Sequence, residues 1–150
     1  MTSPGGEPDA SVYRTDGGSS DERAGPVVAL DTSVLMAPVE RDLRLFEELD
    51  RLVPDARPVV PASVVEELAS LAAGGSGEAA TAASVGRDLA ARATRVETEA
   101  GYADDALVAL AAAGRADYVA TVDAALRERV HERDVPTICL RGERTLAVTR

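Results

Sequence analysis

From residue 27 to residue 140, short continuous apolar runs alternate with stretches whose apolar residues recur every three or four positions. Val27–Leu30 (VVAL), bounded by Pro26 and Asp31, reads as a buried strand. Leu43, Phe46, Leu49 and Leu52 recur every three residues and predict a helix over roughly 40–52. Pro58-Val-Val-Pro61 is a second strand whose closing proline suits position N1 of the next helix. That helix carries Val64, Val65, Leu68 and Leu71 on one face. A weaker helix follows over about 78–92, then a short strand near Arg95–Thr98. Ala106–Ala113 is helical and stops at Gly114, a good residue just past a helix end. Asp117–Val122 (DYVATV) is a strand, about 124–132 a helix, and Pro136–Leu140 a last strand.

Strands alternating with helices imply right-handed crossovers and an α/β fold: a mostly parallel central sheet in a three-layer α/β/α sandwich. Ligand sites in such sheets form outside the C-terminal ends of the strands. Asp31 directly follows the first strand, and Asp123 directly follows DYVATV. Two segments break the pattern. Residues 1–25 are rich in Gly, Ser, Pro and Asp without apolar periodicity and predict a disordered acidic tail, leaving 26–150 as one domain. Ala73-Gly-Gly-Ser-Gly-Glu78 predicts a flexible stretch between two helices.

Composition narrows the chemistry. The chain has 150 residues, 45% of them hydrophobic, enough for a sizeable core. One cysteine, Cys139, and one histidine, His131, exclude a disulfide framework, a cysteine-based zinc site and multi-histidine metal sites. No run of 18 apolar residues occurs and the N-terminus carries no apolar leader, so a cytoplasmic protein without membrane contact is expected. Twenty-six acids face sixteen bases, every base is arginine, and Lys, Asn and Gln are absent. That bias points to a GC-rich genome, and the net charge of −10 to a halophilic setting in which acidic surface stays hydrated. In that setting acidity weighs less against nucleic-acid binding than it ordinarily does.

Four acids stand out: Asp31 in LDTSVL, Glu67 in VVEEL, Asp105 in YADDAL and Asp123 in ATVD. Converging carboxylates bind hard cations such as Mg²⁺ or Mn²⁺ and need no His, Cys or Lys. The competing reading is capping, because Asp favours helix N-caps and Asp31, Asp104 and Asp123 all sit at helix starts. At about 100° per residue, Glu67 falls on the margin of the inward face set by Val64, Leu68 and Leu71, whereas Glu66 points nearly opposite. The same extrapolation favours Asp104 over Asp105, although helical angles are not established at a helix start. Thr121, Thr32 and Ser33 are neighbouring hydroxyls able to orient carboxylates or water. From Asp123 onward six arginines meet five acids, the least acidic part of the chain. Arg127, Arg129 and Arg141, with Arg133 and Arg144, are either a phosphate-contacting rim or a solvated face paired with Glu128 and Glu132. His131 is expected on the surface and Cys139 in a buried strand.

At the four acidic positions the sequence resembles the PIN-domain nucleases. Asp31-Thr-Ser-Val-Leu35 matches their first-strand D-T/S-x-x-L, Glu67-Leu68 their helical Glu-Leu, Asp105-Ala-Leu-Val-Ala their third acid, and Thr121-Val-Asp123 their T-x-D. Residues 101–140 resemble in particular the PIN endonucleases that process small-ribosomal-subunit rRNA in archaea and eukaryotes, in motif order and in spacing. The resemblance implies a Mg²⁺- or Mn²⁺-dependent endoribonuclease cleaving single-stranded RNA. Asp31, Glu67, Asp105 and Asp123 would be its catalytic metal-site carboxylates, assisted by Thr121, Asp104 and Thr32. RNA is the implied partner, and a homodimer, a pre-ribosomal particle or an antitoxin stay open. Eukaryotic relatives carry a lysine-rich N-terminal extension and extra cysteines; here the tail is acidic and Cys139 stands alone. VapC-type toxins share the same acidic quartet, and a non-catalytic PIN module binding RNA or protein is the further alternative. A phosphoacceptor receiver domain also gathers acids at strand ends but needs a lysine after its last strand, and this chain has none.

Overall fold

A computed structural model describes residues 25–150, so the tail expected over 1–25 lies outside the described residues apart from Gly25. Six strands form one sheet: β1 (Val27–Leu30), β2 (Arg57–Pro61), β3 (Thr94–Val96), β4 (Tyr118–Ala120), β5 (Thr137–Arg141) and β6 (Thr145–Thr149). Among the described residues six helices flank it: α1 (Thr32–Arg41), α2 (Leu45–Leu52), α3 (Ala62–Gly74), α4 (Gly77–Ala90), α5 (Ala103–Ala112) and α6 (Ala124–His131). The spatial order is β3-β2-β1-β4-β5-β6, parallel except for the antiparallel pair β5–β6. This is the mostly parallel α/β/α architecture that the alternating pattern predicts.

The order matters for function. The chain winds from β1 outward through β2 to β3, then returns to the other side of β1 for β4. The C-terminal ends of β1 and β4, with Leu30 paired to Ala120, therefore flank a topological switch point, where loops diverge and leave a crevice. Val28, Ala29 and Leu30 are wholly buried, which is why β1 reads as an unbroken apolar run. Gly86 lets α4 lie close to α1 and α3: a Cβ there would come 3.0 Å from Leu68 and 3.1 Å from the Leu35 carbonyl oxygen.

Several local expectations need correction. The helix expected over 40–52 is two helices, because Asp42 adopts a left-handed conformation (φ 54°) that ends α1 and turns Leu43 into the core. Helix α1 itself, containing Pro38, was not expected; its buried Val34, Leu35, Met36 and Ala37 hold it against the core despite the proline. The flexible stretch at 73–78 shrinks to the Gly75–Ser76 link, since α3 runs to Gly74 and α4 starts at Gly77. Pro61 ends β2 at the N-cap of α3 and does not occupy N1. Strand β6 was missed, although Thr145-Leu-Ala-Val-Thr149 alternates and Gly142 (φ 78°) opens the turn before it.

Strand β6 is fastened by α2. One carboxylate oxygen of Glu48 accepts from Arg51 at 2.7 Å and from the Leu146 backbone N–H at 2.9 Å, while Arg51 donates to the Leu146 carbonyl at 2.8 Å. The Arg51 hydrogen bond and then the Leu146 N–H hold the Glu48 carboxyl below its ordinary value of 4.5. A depressed folded-state pKa contributes stability that is present above that ordinary value and lost as pH falls through the lowered one. Glu48→Gln should therefore cost about 1 kcal/mol at neutral pH, after screening at the half-exposed partner. The gap from wild type should close as pH falls below the ordinary 4.5 and through the lowered value. Urea unfolding across pH 3–7 checks this; a gap that widens in acid contradicts it.

Candidate active site at the switch point

Asp31 is the first residue beyond β1, and its backbone N–H continues the ladder to the Ala120 carbonyl at 3.0 Å. It occupies the N-cap position of α1 without making a side-chain cap bond. Its carboxylate turns instead toward β4: one oxygen accepts from Ser33 Oγ at 2.6 Å and from Thr121 Oγ1 at 2.7 Å. Each hydroxyl spends its only hydrogen on Asp31 and accepts a backbone N–H in return, Ser33 from Val122 and Thr121 from Asp123, both at 3.0 Å. The Ser33–Thr121 oxygen contact of 3.2 Å consequently carries no hydrogen between them. Asp31 is 3% exposed, and burial raises its carboxyl above the ordinary 3.8 while the Ser33 and Thr121 hydroxyls pull it back.

The other acids arrive from separate elements. Glu67 on α3 is exposed, yet its Oε1 accepts from the buried Thr32 hydroxyl at 2.6 Å, which ties α3 to the start of α1. Glu66 is exposed without such a tie among the described residues. Asp123 caps α6, its Oδ1 accepting from Ala125 at 2.9 Å and Leu126 at 3.4 Å, so the capping reading is realised there. Both caps and charges gather at the N-termini of α1 and α6, whose dipoles favour negative charge.

Asp104 and Asp105 part company. Helix α5 begins at Ala103, earlier than expected, so both acids already follow helical angles. Measured from Ala106, the buried Ala103, Leu107, Leu110 and Ala111 centre near 90°, with Asp104 about 70° away and Asp105 nearly opposite. Burial, then the charges of Asp31 and Asp123, raise the Asp104 carboxyl above its ordinary value; Arg129 opposes them. Asp105 is paired outward with Arg129 at 2.9 Å.

The arginines are mostly engaged elsewhere. Arg129 bonds Asp105 and not Glu128 or Glu132, Arg127 lies half-buried with its guanidinium 3.7 Å from Cys139 Sγ, and Arg144 leans to Asp42 at 3.8 Å. Arg141 is exposed at the C-terminal end of β5, on the site's edge of the sheet. Cys139 is buried in β5 as expected. His131 is not a free surface residue: its Nε2 lies 3.0 Å from Thr137 Oγ1 and 3.1 Å from the Thr149 carbonyl oxygen, which fixes that nitrogen as the protonated one. Its partner strand is the unforeseen β6, hence the different outcome.

Oxygen is the only donor type at this edge, as a hard divalent cation requires. Among the described residues no three Asp, Glu, His or Cys side chains lie together so that they could hold a metal ion. Mg²⁺ dehydrates reluctantly and keeps several waters beside one or two carboxylates. Burial, then the charges of Asp31 and Asp123, disfavour the Asp104 carboxylate, and a cation would favour it.

A parallel sheet with acids at its β1/β4 switch point defines a class, and residues 28–143 match the PIN-like domain model: the chain belongs to the PIN-like domain family. Among solved structures it is similar to that of the PIN domain endonuclease Utp24, at 24% identity and TM-score 0.66, covering 81% of this chain and 90% of that one. It is also similar to a domain of a functionally unknown protein from Methanocaldococcus jannaschii DSM 2661, at 20% identity and TM-score 0.57, covering 78% and 92%. No curated protein matches the chain. No helix among the described residues is long and apolar enough to cross a membrane.

Proposed function

We propose that the chain is a divalent-cation-dependent endoribonuclease that cleaves single-stranded RNA, in rRNA or other RNA processing. The observation that supports this reading is the set of ties between separate elements at one sheet edge: Thr121 joins Asp31 after β1 to the Asp123 backbone after β4, and Thr32 joins α1 to Glu67 on α3, while Asp104 opens α5. Family membership and the likeness to an endonuclease structure support it.

Asp31, Asp104, Asp123 and Glu67 would hold the ion, Asp104 taking the place that the sequence pattern gives to Asp105. A bound divalent cation supplies positive charge against the phosphodiester and lowers the pKa of attacking water. Thr121 and Ser33 aim the Asp31 carboxylate, and their backbone partners keep both hydroxyls from rotating. Thr32 holds Glu67 at the margin of the crevice through a hydrogen bond to its Oε1. Asp105 holds Arg129 beside the acids, partly offsetting the negative field at Asp104.

The test is cleavage of a single-stranded oligoribonucleotide by the purified full chain, with Mn²⁺ or with EDTA, at low and high salt. Cleavage in Mn²⁺ that EDTA abolishes is expected. Cleavage that persists in EDTA, or no cleavage of any single strand in either salt, defeats the reading.

A further inference from the structure

Among the described residues two large apolar side chains remain exposed, Leu71 at 40% and Tyr102 at 77%. A tyrosine ring ordinarily buries 150–250 Å² and contributes more to packing than most side chains. The other described aromatics follow that rule: the Arg92 guanidinium sits 4.1 Å over the Phe46 ring, and Tyr118 packs half-buried against the core. Tyr102 does not, yet it is not on a frayed end. It is the residue before α5, extended at φ −115° and ψ 149°, and its carbonyl accepts the Ala106 N–H at 2.9 Å. The ring therefore stands on a fixed backbone at the N-terminus of α5, two residues before Asp104.

Electrostatics makes such a ring more consequential. The chain carries a net charge of −10, and of the arginines near the acids Arg129 is paired with Asp105 while Arg127 is turned onto Cys139. That leaves Arg141 as the exposed arginine at this edge, whereas stacking of a base on an aromatic face needs no charge. We propose that Tyr102 is a stacking platform for one unpaired nucleobase beside the scissile phosphate, and so a substrate-positioning residue that selects single-stranded over duplex RNA. A paired base has both faces covered by its neighbours and cannot occupy it. The proposal rests on the nuclease reading above.

The chain has no tryptophan, so Tyr102→Trp installs a single indole whose fluorescence reports directly on a base stacked against it. Tyr102→Ala should leave the melting temperature unchanged, the ring being exposed. It should lower kcat/KM on a single-stranded oligoribonucleotide by about 5- to 100-fold, the equivalent of about 1–3 kcal/mol at 1.4 kcal/mol per decade. Tyr102→Phe and Tyr102→Trp should stay within about threefold of wild type, and single-stranded but not duplex RNA should quench the Tyr102→Trp emission. An active wild type with equally active Tyr102→Ala overturns the stacking role and leaves the ring to a protein partner. Quenching by single strands from an enzyme that cleaves none keeps the platform and defeats the nuclease reading. Neither quenching nor cleavage defeats both.

Discussion

Asp31→Asn should lower the rate of RNA cleavage by more than about 100-fold, the upper end of losses seen when only outer partners of a metal ligand are changed. The fold should survive. Both hydroxyls donate to one oxygen of the carboxylate, and an amide oxygen in that place accepts the same two bonds. The buried group meanwhile changes from a charge that burial disfavours to a neutral amide, so stability should hold or rise. Calorimetric titration with Mn²⁺ should show the matching fall in affinity. Glu67→Gln should follow the same direction, whereas Glu66→Gln, removing the same charge from the same helix, should be nearly silent. Undiminished cleavage by Asp31→Asn would defeat the metal-site reading, and equal activity of the two glutamate variants would defeat the assignment within α3.

Asp104→Asn and Asp105→Asn should separate by more than about tenfold. Asp104 lies nearer the inward side of α5 than Asp105, and burial, then the charges of Asp31 and Asp123, raise its carboxyl. Its neutralisation should remove cation affinity and cut cleavage by about 100-fold or more, again without loss of stability. Asp105 faces away and holds Arg129 in a half-exposed pair, an interaction worth about 0–1 kcal/mol. Its neutralisation should leave cleavage within about fivefold of wild type. Single-turnover cleavage with saturating Mn²⁺ and calorimetry on both variants decide the matter; the opposite ranking would restore the assignment that the sequence pattern favours.

The β-strands β1, β2, β4 and β5 and the positions of Asp31 and Asp123 at strand ends were legible in the chain because they rest on local signals. A buried parallel strand needs an unbroken apolar run, as in VVAL, and its end is marked where polar residues resume. The margin position of Glu67 follows from helical periodicity alone, and the structure adds the Thr32 hydroxyl that meets it. The resemblance to the PIN-domain nucleases was legible in four short motifs, independent of any contact.

What periodicity could not contain depended on partners distant in sequence. The break at Asp42 is imposed by Leu43 and Leu45 turning into the core, and β6 exists because Leu146 packs inward and its backbone bonds to Glu48, 98 residues earlier. His131 meets the Thr149 carbonyl that this strand puts beside it, along with Thr137 of β5. The start of α5 decided the helical angles of the two adjacent aspartates, and Arg129, 24 residues on, paired with Asp105. A local pattern records what a residue prefers to face; which charge or hydroxyl waits there is settled only when strands distant in the chain, such as β1 and β4, are laid side by side.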